Sequence, residues 1–447
     1  MNMKKNIWIW AIAALSMAAC TSEDVPTTEQ IVTENDCISP DGQVLVQLSA
    51  EGLPAPTANV SRAPITGTDI KVLDDLGVFA LARGGNYTVT NTPTTPPVLL
   101  DNIWAKGQES TTLDDQIHTD ENGNPLKRIS LYAEKDATNA SIYYYPISAA
   151  NNYDFYGYYP YQESSKVTKS ASDVTVSFDL SDGDIDLITG KAAPAPQIAD
   201  NKLFIEVKEG APVVGDAAKV WDGYNARYIR KIKYSNELVS QYAQAATENQ
   251  INTLRYVPNI KFGHRTTQLR FFVVANDKQA SDDKTATRSL RVTDMALKGV
   301  PTEATWSLTT DKINWSNSTN TEIPMQPLET SVWVNNQIQP LAEIPSTQIN
   351  KDANQAGYLM VAPLESYKLA LKVHAPVPNT GSAVPQVQDT EVTIQMKDEA
   401  GQVVPFEEGK FYNIYIQLNA LQEVLITAEL ADWVEGDDVF VPVGEDD

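Results

Sequence analysis

The hydrophobic positions of this chain fall into short segments with a period of two. Segments rich in Val, Ile, Thr, Tyr and Phe alternate with stretches of Gly, Pro, Asn and Asp over most of the chain. Such alternation is typical of strands that bury one face, and its repetition indicates an all-β fold built of sandwiches. The clearest segments are residues 76–82, 172–180, 267–275, 358–364, 368–375, 389–398, 410–418 and 423–430.

A helical pattern occurs at one place, residues 236–250, NELVSQYAQAATENQ. A doubly wound α/β fold needs many such stretches, so we exclude that class. A chain of 447 residues is long enough for more than one domain. We expect an N-terminal β-sandwich domain over residues 63–321 and a C-terminal β-sandwich domain over residues 322–447, with the border in the polar stretch 313–324.

Residues 1–19 have the pattern of a lipoprotein signal peptide. Two lysines precede an apolar run from Ile7 to Met17, and small residues follow it. These 11 residues are too few to span a bilayer core of about 30 Å. The ending Met17-Ala18-Ala19-Cys20 resembles the bacterial lipobox, which predicts a lipid on Cys20. The alternative is a secreted protein with a chance cysteine.

Residues 20–62 form an acidic leader. Its first part shows no period and is typical of a flexible tether. A strand pattern follows from Gln43 to about Leu48, where Val44, Val46 and Leu48 alternate with other residues, although Leu45 interrupts the pattern.

Arg62 is the first Lys or Arg after Cys20. A trypsin-like protease that acts on the leader therefore finds no earlier site than the bond between Arg62 and Ala63. Pro64 favours an extended chain at this point. The alternative is that Arg62 is an ordinary surface residue of a loop.

Composition excludes several classes of partner and site. The net charge of −24 argues against nucleic acid, which is bound by clustered Lys and Arg. The two cysteines, Cys20 and Cys37, both lie in the first 40 residues, so no disulfide framework supports the rest of the chain.

The sequence offers no catalytic or metal-binding constellation. The three histidines, His118, His264 and His374, are isolated, and no zinc, phosphate-loop, dinucleotide or nucleophile-elbow motif is present. The 58 acidic residues make chance carboxylate pairs uninformative about glycosidase activity. We therefore expect no enzyme activity, no cofactor and no metal.

Three weaker features each have a functional and a structural interpretation. Residues 182–186 resemble the start of a calcium loop, but Leu187 and Ala193 stand where the loop needs Gly and Glu, which favours a polar turn. His264 borders an apolar strand, which favours a hydrogen-bonded packing residue over a ligand. Eight of the 19 tyrosines lie within residues 143–161. They could form a stacking surface for sugars, but two antiparallel strands, residues 141–147 and 153–161, with alternate rings in the core are favoured.

Several motifs occur together in one order along the chain. They are the lipobox, the leader strand, Ser61-Arg62-Ala63, the segment ending Tyr158-Tyr159-Pro160-Tyr161, Phe262-Gly263-His264-Arg265, Gly409-Lys410-Phe411-Tyr412 and Asp432-Trp433. Together they resemble the fimbrillin family, the pilins and accessory pilins of type V pili in Bacteroides and Porphyromonas relatives. Residues 210–256 do not match the pattern, and Met17 replaces the usual Leu of the lipobox.

The resemblance implies two transthyretin-like β-sandwich domains and a lipoprotein precursor at the outer membrane. A trypsin-like surface protease would cut between Arg62 and Ala63, release the leader strand with the lipid on Cys20, and open a groove. A carboxy-terminal strand of another pilin subunit would fill that groove, and the finished fimbria would bind a host or bacterial surface ligand.

The tail contains a candidate donor strand, in which Val439, Val441 and Val443 alternate with Phe440 and Pro442. It could equally be the last strand of its own domain. Other functions remain open: a pilus anchor or tip subunit, a surface lipoprotein that binds glycans through the tyrosines, and, with least support, an outer-membrane glycosidase.

Overall fold

The structure is a computed structural model of the chain. It describes residues 38–39, 41–51, 75–92, 94–108, 127–148, 150–193, 205–214, 223–242, 257–275, 291–316, 322–327, 333–334, 337–338, 355–374, 387–398, 400–420 and 423–431. The described residues form 25 strands and one α-helix, which confirms an all-β fold. Within them, no helix has both the length and the apolar character needed to cross a membrane.

The strands are numbered in their order along the chain. The first eleven are β1 (Leu48–Glu51), β2 (Leu76–Ala82), β3 (Val98–Gln108), β4 (Lys127–Tyr132), β5 (Tyr153–Tyr159), β6 (Val167–Lys169), β7 (Val174–Asp179), β8 (Ile188–Ala192), β9 (Ile205–Lys208), β10 (Ala211–Val214) and β11 (Asn259–His264). Helix α1 (Ala226–Tyr242) lies between β10 and β11.

The later strands complete the set, and each of the eight segments with clear alternation overlaps a strand. They are β12 (Thr267–Ala275), β13 (Arg291–Lys298), β14 (Glu303–Ser307), β15 (Lys312–Ser316), β16 (Glu322–Pro324), β17 (Gln326–Pro327), β18 (Trp333–Val334), β19 (Gln337–Ile338), β20 (Gln355–Val361), β21 (Ser366–His374), β22 (Val387–Lys397), β23 (Val403–Val404), β24 (Phe411–Ala420) and β25 (Glu423–Ala431).

Seven strands close into a barrel in the order β1-β11-β8-β5-β2-β3-β4. Strand β1 completes the closure, because it pairs antiparallel with β4 and parallel with β11. Helix α1 packs against the same interior. The buried residues that line it include Leu48, Val78, Leu100, Ile129, Phe155, Ile188 and Ile260, with Tyr228 and Ile232 of α1.

A four-stranded sheet, β15-β14-β7-β6, packs on the outside of the barrel and forms a second apolar layer. The rings of Tyr158 and Phe178 meet edge to face, with centroids 5.6 Å apart, and Tyr156 approaches Trp306 at 6.3 Å. Because side chains of a strand point alternately to both faces, β2 and β5 supply residues to the barrel interior and to this layer.

The second part of the fold is a sandwich of two five-stranded sheets, β17-β20-β12-β24-β25 and β16-β13-β21-β22-β23. Their facing sides share one core, as expected for two layers that each bury an apolar face. Its buried residues include Leu269, Phe271, Leu297, Leu359, Leu369, Ile394 and Ile414.

The predicted border near residue 321 does not coincide with the change from the first sheets to the sandwich. Strand β12 already pairs with β20 and β24, and β13 pairs with β21. The hairpin β14–β15 then returns to the first part, where β14 pairs with β7. The polar stretch at 313–324 contains the end of that hairpin and not a domain border. Local polarity indicates where a strand ends, but it does not reveal which sheet the strand joins.

The predicted helix also begins earlier than its pattern indicated. Helix α1 starts at Ala226, where the side chain of Asn225 accepts a 2.8 Å hydrogen bond from the Tyr228 N–H and so caps the first turn. The apolar stripe that packs on the barrel begins at Ala226 and continues with Tyr228 and Ile229. Residues 243–250 of the predicted range lie outside the described residues.

The loop Asp182–Asp186 joins the barrel side to the sandwich. The Met360 N–H donates a 2.8 Å hydrogen bond to the Gly183 carbonyl oxygen. Gly183 has a φ of +67°, and a Cβ at this position would lie 2.5 Å from Leu359 and 2.6 Å from Ile323. The close contact with the sandwich therefore depends on this glycine.

Candidate functional site

The leader strand occupies a slot in the wall of the barrel. We define the leader strand as residues 43–51 and the leader groove as the space it fills between β4, β11 and the segment 143–145. The Val46 N–H donates to the Tyr143 carbonyl oxygen at 2.7 Å, and the Tyr145 N–H donates to the Val44 carbonyl oxygen at 2.8 Å. Further along, Leu48 is paired with Ile129 of β4. The leader strand is thus held by backbone bonds on both sides.

The leader strand presents a row of apolar side chains to the barrel interior. Val44, Val46, Leu48 and Ala50 are exposed by only 1%, 8%, 1% and 1%, and all four belong to the barrel core. Burial of a Val or Leu side chain contributes about 1.5 to 3 kcal/mol before entropy costs. The alternation predicted at Val44, Val46 and Leu48 therefore corresponds to a buried row in the structure.

Polar groups hold the far end of the leader strand. The Glu51 carboxylate accepts a 2.5 Å hydrogen bond from the Asn259 side-chain amide and lies 2.9 Å from the Lys261 ammonium. The buried Ser49 N–H donates to the Pro258 carbonyl oxygen at 3.0 Å. These contacts fix the register of β1 beside β11.

The near end of the leader strand lies against helix α1. The Arg230 guanidinium donates a hydrogen bond to the Gly42 carbonyl oxygen. Arg227 and Lys231, from the same helix, line a groove of about 440 Å³ beside it, together with Ile147, Ser148 and Tyr234. The contacts of Asn259, Lys261 and Arg230 were not predicted from the sequence, although four basic residues within 227–233 are a visible signal.

Loss of the leader strand would leave two kinds of unsatisfied surface. Strands β4 and β11 would become edges with unpaired N–H and C=O groups, and the barrel core would be open to water along one row. An extended segment with alternating apolar residues satisfies both, since it supplies backbone partners and side chains together.

Several residues predicted to act at this site lie outside the described residues. These are the lipidation site Cys20, the cleavage site Arg62 and Ala63, and the candidate donor strand Val439, Val441 and Val443. The last described residue of the leader strand is Glu51, which precedes Arg62 by 11 positions.

His264 is a hydrogen-bonded packing residue, as its place beside an apolar strand predicted. Its Nδ1 lies 2.9 and 2.8 Å from the two carboxylate oxygens of Asp186, and both side chains are nearly buried. The Thr266 hydroxyl also donates to Asp186, at 3.2 Å. Asp186 is thereby engaged by the protein itself, and the described residues contain no group of acids, cysteines or histidines that could hold a metal ion.

The tyrosine-rich segment serves mainly as core, as the favoured interpretation held. Tyr145, Tyr153, Tyr156 and Tyr158 are buried, and burial raises the pKa of Tyr153 to about 12. The predicted pairing of residues 141–147 with β5 is wrong, however, because Tyr144 bridges to Leu45 of the leader strand instead. Half of the tyrosine cluster is therefore inaccessible to a sugar.

No family model matches the chain, and no curated protein matches it. Solved structures do. A candidate cell adhesion protein of Bacteroides uniformis is 15% identical with a TM-score of 0.41, and the match covers 88% of this chain and 99% of that one. A fimbrial protein of Bacteroides vulgatus is 13% identical with a TM-score of 0.38, covering 87% and 99%.

A third similar structure is the tip fimbrial protein Mfa3 of Porphyromonas gingivalis with a C-terminal truncation. It is 8% identical with a TM-score of 0.33, and the match covers 87% of this chain and 100% of that one. The names of these three structures, a cell adhesion protein and two fimbrial proteins, are of the same kind as the family that the sequence motifs resemble. All three TM-scores are below 0.5.

Proposed function

We propose that this chain is a structural, non-enzymatic subunit of a cell-surface pilus that supports adhesion. The precursor is exported as a lipoprotein with its lipid on Cys20 and is cut by a trypsin-like surface protease between Arg62 and Ala63. The leader strand then leaves, and a carboxy-terminal strand that contains Val439, Val441 and Val443 of another subunit enters the leader groove.

The observation that carries this proposal is the position of the leader strand. It completes the barrel between β4 and β11, its three larger apolar side chains are buried, and it belongs to the acidic leader that precedes Arg62. A strand at the centre of a wall leaves a matched vacancy when its chain is cut and released. An edge strand would leave only a shorter sheet.

The leader composition supports a single cut. No Lys or Arg lies between Cys20 and Arg62, so a trypsin-like enzyme produces one amino terminus from this segment. The removed residues 1–62 carry three basic and seven acidic residues, so the net charge changes from −24 to −20. Cys37 and Cys20 are both removed with the leader, and the subunit that remains has no cysteine.

Limited proteolysis tests the proposal directly. The secreted precursor should yield an amino terminus at Ala63 when treated with a low dose of trypsin, and the product should then form ladders of oligomers. Mass spectrometry and size-exclusion chromatography measure the two steps. The matched control is Arg62→Gln, which should stay a monomer under the same treatment. A cut precursor that remains monomeric at high concentration would refute the proposal.

Deletion of residues 432–447 separates the positions that a subunit could take in the filament. A stalk subunit needs both the groove and the tail, whereas a tip subunit needs only the groove and an anchor keeps its lipid. The cut, tail-deleted chain should therefore terminate chains of wild-type subunits without extending them. If it extends them as well as wild type does, the donor segment lies elsewhere.

A further inference from the structure

The leader groove carries positive charge at both ends. At one end the Lys261 ammonium faces Glu51, and at the other end Arg230 holds the Gly42 carbonyl oxygen. Arg227 and Lys231 extend the positive charge beside Arg230. They line the separate surface groove next to helix α1, which also contains Ile147 and Tyr234, exposed by 76% and 46%. When the leader leaves, Glu51 leaves with it, and Lys261 loses this carboxylate.

This concentration of positive charge contrasts with the rest of the chain. Helix α1 has four basic residues within residues 227–233, in a protein with a net charge of −24. A basic helix face is often no more than solvated surface. Its place at one end of a groove that has a lysine at the opposite end gives it a role in register, because charges at the rim of an interface fix register and exclude wrong partners.

The tail of the chain has acids at the matching spacing. The apolar stretch 439–443 is preceded by Asp437 and Asp438 and followed by Glu445, Asp446 and Asp447. Asp437 and Asp446 are nine residues apart, as are Gly42 and Glu51. At about 3.3 Å per extended residue, both intervals span roughly 30 Å.

We propose that the leader groove accepts the tail of a second copy of this chain in one register and one direction. In this register Asp437 and Asp446 replace Gly42 and Glu51. Val439, Val441 and Val443 replace Val44, Val46 and Leu48, so the tail runs parallel to β11 as the leader strand does. The inference rests on the strand exchange proposed above and adds which residues select the strand.

The register also accommodates the proline of the tail. It places Pro442 at the position of Gln47. The described backbone contacts of the leader include bonds from the N–H groups of Val46 and Ser49, and none from Gln47. Proline has no N–H, so this register costs none of the described backbone bonds of the leader.

One position is less well matched. Glu445 falls where Ala50 is buried, so the apolar row of the tail has three members and that of the leader strand has four. Because a buried carboxylate is unfavourable without a partner, Glu445→Ala should strengthen the joint. Assembled filaments of this variant should withstand a higher urea concentration than wild type. Weaker filaments would contradict the register.

Charge-swap variants of the full chain test the direction as well as the register. Lys261→Glu and Asp446→Lys should each slow the assembly of the cut protein about three- to tenfold, as expected for reversal of a partly exposed pair. The double variant should recover most of the wild-type rate. Arg230→Glu and Asp437→Lys should behave in the same way, and high salt should reduce all these differences.

The crossed combinations provide the decisive control. Lys261→Glu with Asp437→Lys should not recover, and recovery there without recovery of the first pairs would mean that the tail enters in the opposite direction and would overturn the inference. Lys397→Glu, on the exposed end of β22, is the matched control that should leave assembly unchanged. Each uncut variant should first be shown to be a folded monomer by circular dichroism.

The failure of this inference differs from the failure of the proposed function. If the cut wild-type chain assembles and no charge reversal changes its rate, strand exchange stands and the charge-selected register is wrong. If the cut wild-type chain does not assemble at all, the proposed function fails and this inference fails with it.

Discussion

Two parallel strand pairings involve consecutive strands of the chain, and they differ in the number of residues that they join. Among the described strands, β1 pairs parallel with β11, and β12 pairs parallel with β24. The first pairing joins three residues of each strand, whereas the second joins eight. The adjacent strands β11 and β12 are separated only by Arg265 and Thr266. A short parallel pairing, on β11, and a long one, on β12, thus lie on either side of a two-residue link.

Under the proposed strand exchange, β12 is the permanent strand and β1 the replaceable one, and their surroundings differ accordingly. Strand β12 lies between β20 and β24 at the centre of its sheet, and Leu269, Phe271 and Val273 are fully buried in the sandwich core. Strand β1 is also central, but its ladder is short, and Ser49, Glu51 and Asn259 provide polar contacts beside it. A short ladder with a polar end costs less to open than a long apolar one.

The largest expected effect is on the permanent strand. Leu269→Ala removes a fully buried side chain from the sandwich core and should lower the free energy of unfolding by about 2 to 5 kcal/mol. Urea unfolding measures it, with the exposed Val403→Ala as a control that should change little. The loss should be the same before and after proteolysis, and a loss only in the uncut form would contradict the assignment of β12 as permanent.

The same substitution in the leader strand should act only while the leader is present. Leu48→Ala leaves a similar cavity in the barrel and should cost the uncut protein about 2 to 5 kcal/mol. After the cut and assembly Leu48 is gone, so filaments of the variant should dissociate at the same urea concentration as wild type. A difference between the filaments would show that the leader remains bound.

Alkaline pH should separate the two regions next. Burial raises the pKa of Tyr153 to about 12, and it also raises the pKa values of Tyr156, Tyr158 and Tyr228 around the barrel. Above about pH 10 the unfolded chain loses these protons and the folded chain keeps them, so stability is full below pH 10 and falls as the pH rises towards 12. In the sandwich, burial raises the pKa values of Tyr367 and Tyr412.

Urea unfolding between about pH 8 and pH 12 measures this dependence. The barrel should lose stability more steeply than the sandwich, because more of its tyrosines resist ionisation. Tyr153→Phe should make the slope shallower for the barrel alone. Equal slopes in the two regions would contradict the expected order.

The smallest expected effect concerns the polar end of the leader strand. Asn259→Ala removes the hydrogen bond to Glu51 and the 3.3 Å contact with the Ser49 hydroxyl. We expect the free energy that binds the leader strand in its groove to fall by about 1 kcal/mol, equivalent to roughly fivefold faster release of the leader after the cut. Mass spectrometry of the released leader measures the rate. Ser177→Ala, which removes a hydroxyl contact with Thr305 far from the leader, should leave it unchanged.

The sequence predicted strands well because each strand has a local cause. Alternation in residues 267–275 or 410–418 indicates one buried face whatever the partner is. The same property explains the misplaced border, since nothing in the alternation of β14 shows that it pairs with β7 across more than 120 residues of chain. The helix start was missed because its determinant, the Asn225 cap, lies eleven residues before the pattern that indicated it.

The candidate site was predictable in part for the same reason. Val44, Val46 and Leu48 could be identified from their spacing, and the structure buries them together. Their neighbours could not, because the leader strand meets β11 more than 200 residues later in the chain. The lipidation, the cleavage after Arg62 and the donor role of Val439, Val441 and Val443 stay predictions.

The two-residue link between β11 and β12 has a mechanical consequence. Around it, the Arg265 guanidinium lies 2.6 Å from Asp311 and 3.2 Å from Glu408, so the turn is braced by both halves of the fold. Tension applied to the sandwich would reach β11 through the two residues Arg265 and Thr266, along the direction in which β1 lies beside it. The backbone hydrogen bonds between β1 and β11 would then be loaded together in shear, and they would not break one after another. In a filament of the proposed kind, the strand that occupies the leader groove would therefore lie directly on the path of the applied tension.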